Sequence, residues 1–276
     1  MPNIPLDFGL TMDLALAAFC RGDRLGAPWE SNGTNLRTVS IEDIRARERT
    51  YPQGTDESDI VRCWLLFLPG FGGLPVDALC LAWCEFHTRE HRPTTYGRTW
   101  RDHFTLINHL RLHGEFTLEK VLSISADRNS LGNGLLSLVY PVFRLARARG
   151  DDSATMVEAF GRLTHDHHTA RGAARALHDL LADLVAGRDP LAEEPDRTLS
   201  PAEFVARYPS NVPAAKLLLH ARYHAARATT EDELLCACIG MGGDVDSVLA
   251  IALLLFTLRA TGGAAFNGSI AAAAIP

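Results

Sequence analysis

Residues 242–247 read GGDVDS and lead straight into an apolar run at residues 248–256. Asp244 and Asp246 stand one residue apart, and Ser247 adds a hydroxyl. Hard divalent cations take oxygen ligands of this kind, and magnesium keeps several waters when few carboxylates hold it. The same residues also make an ordinary helix start. An N-cap aspartate accepts from free backbone N–H groups, and first-turn acid complements the helix dipole. Residues 54–59, GTDESD, repeat the pattern before a second apolar run. There Thr55, Asp56 and Glu57 offer oxygen ligands, or simply an acidic first turn. A third segment, GDRLGAPWE at residues 22–30, turns the chain at Gly22, Gly26 and Pro28 and leaves Glu30 in a loop. For each segment taken alone, both readings stay open. His165, His167 and His168 in THDHH do not share one helix face, so the expectation is a helix boundary with His165 buried beneath a cleft.

Positioning these side chains falls to helices. Segments such as LTMDLALAAFC, IVRCWLLFL, LLSLVYPVFRLARA, AARALHDLLADLVAG and DSVLAIALLLFTLRA suit a period of 3.6 residues, and period-2 alternation is scarce. Alanine, leucine and arginine, all strong helix formers, are abundant. The expected fold is all-α, with residues 1–276 as one large helical domain packed around one or two entirely buried helices. The polar stretches 31–59 and 188–200 are expected to be connections, the first long enough to be functional. Trp64, Trp83 and Trp100 read as packing residues.

The chain has 276 residues, 47% of them apolar and 22% charged, with a net charge of −6. That is a globular balance, and it lacks the basic field of a protein that tracks nucleic-acid backbones. None of the six cysteines forms a CxxC pair, so they are expected as reduced thiols filling the core of a cytoplasmic protein. LALAAFC, ending at Cys20, has no basic residue before it, carries Asp13 beside it, and places bulky Phe19 before the cysteine. These features argue against a signal peptide. No apolar run reaches the roughly 18 residues of a membrane span.

Five segments in order resemble the ADP-ribosylglycohydrolase family. The family pattern runs GDALGAP.E, TDDT, NGA.MR..P, TH and GGDTDT. This chain has GDRLGAPWE at 22–30, TDES at 55–58, NGLLSLVYP at 133–141, TH at 164–165 and GGDVDS at 242–247. The resemblance implies an all-α domain holding two divalent cations, Mg2+ or Mn2+, in a cleft. It implies metal ligands from Thr55, Asp56 and Glu57 at one helix start and from Asp244, Asp246 and Ser247 at the other. Glu30 matches a glutamate near the metals in some members, and Glu30, Asp56 and Asp246 are the implied catalytic groups. Asn133 and Gly134 match a segment lining the ribose side. Gly242 and Gly243 are expected to offer backbone N–H groups to the diphosphate.

The implied substrate is ADP-ribose on a modified protein, arginine first, and the implied reaction is hydrolysis at ribose C1″. Divalent ions orient ribose hydroxyls and lower the pKa of a bound water, while a carboxylate handles the proton. The chain departs from the pattern at several points. Glu57 replaces an aspartate, Val245 and Ser247 replace threonines, Leu138 an arginine, Ser137 a methionine, and Arg24 a small residue. The alternative expectation is a drifted relative that binds ADP-ribose, or an ADP-ribosyltransferase partner, without turnover.

Overall fold

The computed structural model describes residues 13–262 apart from 32, 49, 51 and 93–95. Thirteen α-helices form among them. The first seven are α1 (Leu14–Gly26), α2 (Ile41–Arg47), α3 (Asp56–Phe71), α4 (Val76–Glu90), α5 (Arg98–Leu112), α6 (Leu118–Arg128) and α7 (Gly134–Arg149). The rest are α8 (Ser153–Arg162), α9 (His168–Val185), α10 (Pro201–Arg207), α11 (Ala214–Arg227), α12 (Glu231–Met241) and α13 (Val245–Ala260). No strand forms among the described residues; an isolated antiparallel bridge joins Thr34 to Gly242. The all-α expectation therefore holds.

α13 is apolar on every side, and such a helix must be covered on every side. Residues 245–255 and Leu258 are all buried. α1 lies directly on it. A Cβ at Gly22 would sit 2.5 Å from the Leu249 carbonyl oxygen, and one at Gly26 would sit 2.4 Å from Asp246 Cα. These glycines, four apart and so on one helix face, let the two backbones touch. α7 is the second deeply buried helix, covered along residues 134–146. Asp13 ties it to α1: one oxygen caps Leu16 N at 2.6 Å, and the other accepts from the Tyr140 hydroxyl at 2.8 Å and Arg144 Nε at 3.0 Å. Trp64 and Trp83 pack edge to face within the same core, their centroids 4.8 Å apart.

Two polar stretches are more ordered than the sequence indicates. Residues 31–59 contain α2, whose start is capped by Ser40 Oγ. Residues 188–200 wind into 3₁₀ turns at Pro190–Glu193 and Pro195–Thr198. α6 escapes periodicity arguments because it buries only Val121 and Ser125. All six cysteines are free, and five of them are buried. Among the described residues no helix is long and apolar enough to cross a membrane.

Candidate metal centre

The starts of α3 and α13 meet. Thr55 Oγ1 lies 2.6 Å from Asp23 Oδ1, 2.8 Å from Glu57 Oε2 and 3.1 Å from Asp246 Oδ2. A hydroxyl has one proton to give, so it satisfies one of these carboxylates at a time. Ser247 Oγ donates to the other Glu57 oxygen, and Ser247 N donates to Asp246 Oδ1 at 2.8 Å. Glu57 thus spans the two helix mouths, and its extra methylene relative to aspartate supplies the reach. Asp56 lines the cleft beside it.

Asp23 joins the candidate site although the sequence reading assigned it no role. It is fully buried near the end of α1. Its carboxylate accepts from Thr55 N at 2.8 Å and Ser58 N at 3.0 Å, so it caps α3 from another helix. Thr55, at the N-cap position, makes no side-chain cap bond of its own. Gly54 makes room: its φ is +71°, and a Cβ there would sit 2.2 Å from Asp23 Oδ2. The available signal was the Gly22/Gly26 pair, which marks the α1 face pressed against α13.

The loop before α13 is held from three sides. Asn211 accepts from Asp244 N and donates to the Gly242 carbonyl, both at 3.2 Å. Ser31 Oγ accepts from Gly243 N at 2.9 Å, and Ser31 N donates to the Gly243 carbonyl at 3.1 Å. Asn35 N and Arg37 N continue the pairing onto the Met241 and Gly240 carbonyls. In this structure the N–H groups of Gly242 and Gly243, expected to face a diphosphate, meet the Ile239 carbonyl and Ser31 Oγ. Both glycines have positive φ and shape the loop. Asp244 likewise makes no cap bond; its Oδ2 accepts from Asn133 Nδ2 at 2.6 Å.

Six carboxylates, from Asp23, Glu30, Asp56, Glu57, Asp244 and Asp246, therefore crowd one region. Oxygens of Asp23, Glu57 and Asp246 lie within 4.8 Å of one another, as do those of Glu30, Asp244 and Asp246. Among the described residues, none of the six has a lysine, arginine or histidine nitrogen within 4.0 Å. Burial, and then Asp23, Asp244 and Glu30, push Asp56 up to about 7. Glu57 and Asp246 are driven well above the usual carboxylate range, by burial first and neighbouring acids second. Glu30, more exposed at the mouth, is raised by burial and by Asp244 and Asp23. A hard-oxygen donor set without protein cations fits divalent metal ions.

The cluster forms one wall of a cleft of about 290 Å³. Trp100, Ser130, Gly132, Asn133, Gly134 and His165 are also in its lining. An adjoining hollow of about 340 Å³ shares Glu30, Val212 and Asp244. His165 is buried there, its Nδ1 2.8 Å from Thr164 Oγ1, and burial lowers its pKa to about 3, leaving it neutral. Trp100 is a packing residue that also faces the cleft. The departures Ser137, Leu138 and Val245 are all buried.

The profile of the ADP-ribosylglycohydrolase family matches residues 14–274. The chain belongs to that family. One solved structure, an ADP-ribosylglycohydrolase-related protein complex, is similar at 19% identity with a TM-score of 0.59, covering 93% of this chain and 96% of that one. At that identity the likeness speaks for the fold. No curated protein matches the chain.

Proposed function

We propose that this family member is a metal-dependent hydrolase that releases ADP-ribose from a modified protein side chain, arginine first. One observation carries the reading: five acids line the cleft and a sixth, Asp23, is buried against Glu57 and Asp246, without a protein cation to balance them. Two divalent ions, Mg2+ or Mn2+, would be held by oxygens from Thr55, Asp56, Glu57, Asp244, Asp246 and Ser247, with Asp23 and Glu30 at either flank. Bound there, they would supply Lewis acidity and orient the ribose hydroxyls.

The chain's own residues do the rest. Asp23 fixes the Thr55 turn through the backbone N–H groups it caps. Asn133 fixes the Asp244 carboxylate. Glu30, at the mouth, takes the proton from the attacking water as its oxygen bonds to C1″ and the C1″–N bond breaks. The guanidinium of the substrate departs as neutral guanidine, which then takes the proton held by Glu30. Trp100, Gly134 and neutral His165 bound the side where the ribose sits and exclude bulk water from it.

The test is release of ADP-ribose from an ADP-ribosylarginine peptide with Mn2+ or Mg2+, followed by mass spectrometry. Metal-dependent release that is lost in Asp246→Asn supports the proposal. Tight binding of ADP-ribose with no release from arginine, serine or nucleic-acid linkages replaces it with a ligand-holding relative.

A further inference from the structure

On the other side of the strap at residues 31–39 lies a second cavity, of about 520 Å³, walled by that strap, the start of α10, the end of α11 and α12. Its volume falls in the range of small-molecule sites, roughly 300–1,000 Å³. Leu36, Val39 and Ala228 give it apolar walls. Arg37 and Arg227 line it too, and neither has a carboxylate within 4.0 Å among the described residues. Arg37 donates to the Ile239 and Trp29 carbonyls, at 3.2 and 2.6 Å. Arg227 donates to the Arg197 and Leu199 carbonyls. Carbonyl oxygens orient a guanidinium without cancelling its charge. Glu233, the acid in the lining, is turned to the start of α12, where it accepts from Thr229 N at 2.9 Å and Thr230 N at 3.3 Å.

His224 also lines this cavity. It is 3% exposed, and its Nε2 has no hydrogen-bond partner among the described residues. Burial lowers its pKa to about 3, so the ring is neutral at pH 7. A buried polar nitrogen without a partner costs free energy unless something meets it. On a chain of net charge −6, this is a pocket lined by two arginines that no carboxylate pairs among the described residues, Arg37 lying over the Trp29 ring and Arg227 over the Tyr223 ring.

We propose that this cavity binds a small organic anion with a ring-sized apolar body. Its carboxylate or phosphate would meet Arg37 and Arg227, and its ring would pack beside His224. The site is separate from the acidic cleft and does not rest on the hydrolase reading. The strap that walls it is also the backbone paired with Met241 and Gly243.

Cys236 reports on occupancy, because it lines the cavity and is the one cysteine that is not buried. The experiment alkylates the full chain with iodoacetamide at alkaline pH in EDTA and follows Cys236 by mass spectrometry. The probes are benzoate and phenyl phosphate; benzyl alcohol and benzylamine are controls. At least one anion is expected to slow alkylation, by about threefold at twice its dissociation constant. The stronger probe identifies the head group as carboxylate or phosphate. Arg227→Gln, at an exposed position, is expected to raise the anion's dissociation constant, read from the protection, by about tenfold while the circular dichroism is unchanged. In the unmutated chain, the same anion is expected to move the His224 ring-nitrogen resonance. Equal protection by the neutral or cationic control overturns the proposal. So do protection that survives in Arg227→Gln and a His224 resonance that stays still at saturating anion.

Discussion

Glu57 and Asp59 sit two residues apart in the first turn of α3 and are equally hidden, 3% and 1% exposed. Their surroundings are opposite. Asp59 accepts from Arg62 Nε and Nη2 at 2.9 and 2.8 Å, from Arg92 N at 2.7 Å and from the Tyr96 hydroxyl at 2.9 Å. Its charge and both oxygens are answered from within the chain. Glu57 meets the hydroxyls of Thr55 and Ser247 and is otherwise surrounded by Asp23, Asp56, Asp244 and Asp246. Asp59 also groups with Cys63 and His87 in a geometry that suits a metal, yet the arginine beside it removes the need for one. A buried carboxylate alone therefore says little. A buried carboxylate left without a cation points to a ligand.

Changes on the unpaired side are expected to hit activity, and changes on the paired side stability. The largest effect is expected for Asp246→Asn. ADP-ribose release and Mn2+ affinity by calorimetry should fall by on the order of 100-fold, with the fold retained. Unchanged turnover would erase the distinction between the two faces of α3. Asp59→Ala should cost about 3 kcal/mol in urea unfolding, because it strands Arg62 and Tyr96, while turnover per folded molecule stays within a few-fold. Next is Gly26→Ala, whose Cβ would lie 2.4 Å from Asp246 Cα. Forcing α1 off α13 should cost about 2 kcal/mol and weaken Mn2+ binding together, a joint loss that neither single-face mutant shows.

A smaller effect concerns pH. Carboxylates whose folded pKa is raised stabilise the metal-free fold below their ordinary range. They lose that contribution as pH rises, through about 7 for Asp56. Cations that replace those protons should reverse the trend. The Tm gained on adding Mn2+, relative to EDTA, should therefore widen by about 3 °C between pH 5 and pH 8. Taking the difference cancels the buried histidines, which titrate in the opposite sense. A gap that is constant with pH would mean the cluster does not bind Mn2+ in exchange for protons. The smallest expected change is Glu57→Gln in EDTA, a stabilisation of about 1 kcal/mol from relieved repulsion; a loss like that of Asp59→Ala would show that the two sites are alike.

Much of the candidate site was legible because it is local. Asp244, Asp246 and Ser247 fall within four residues, and Thr55, Asp56 and Glu57 within three. Asp23 was not given a role: it stands in GDRLGAPWE, which matches the family pattern, but nothing in that segment names the helix it will cap. Asn211 and Ser31 were missed for a similar reason: loop residues have no period, and their partners lie 31 to 33 and 212 residues away. Leu138 was visible as a departure from the family pattern, but its burial within α7 was not.

The sequence by itself determined the helical class, the need to bury α13 on all sides and the oxygen chemistry at two helix mouths. These follow from composition, from a period of 3.6 and from the side chains themselves. Only the tertiary structure decided which acids are answered by arginine and which face one another. Ser247 and Glu57 are 190 residues apart in the chain yet hydrogen-bonded in the fold. Charge balance depends on distance through space and on local dielectric, and neither is a property of position along the chain.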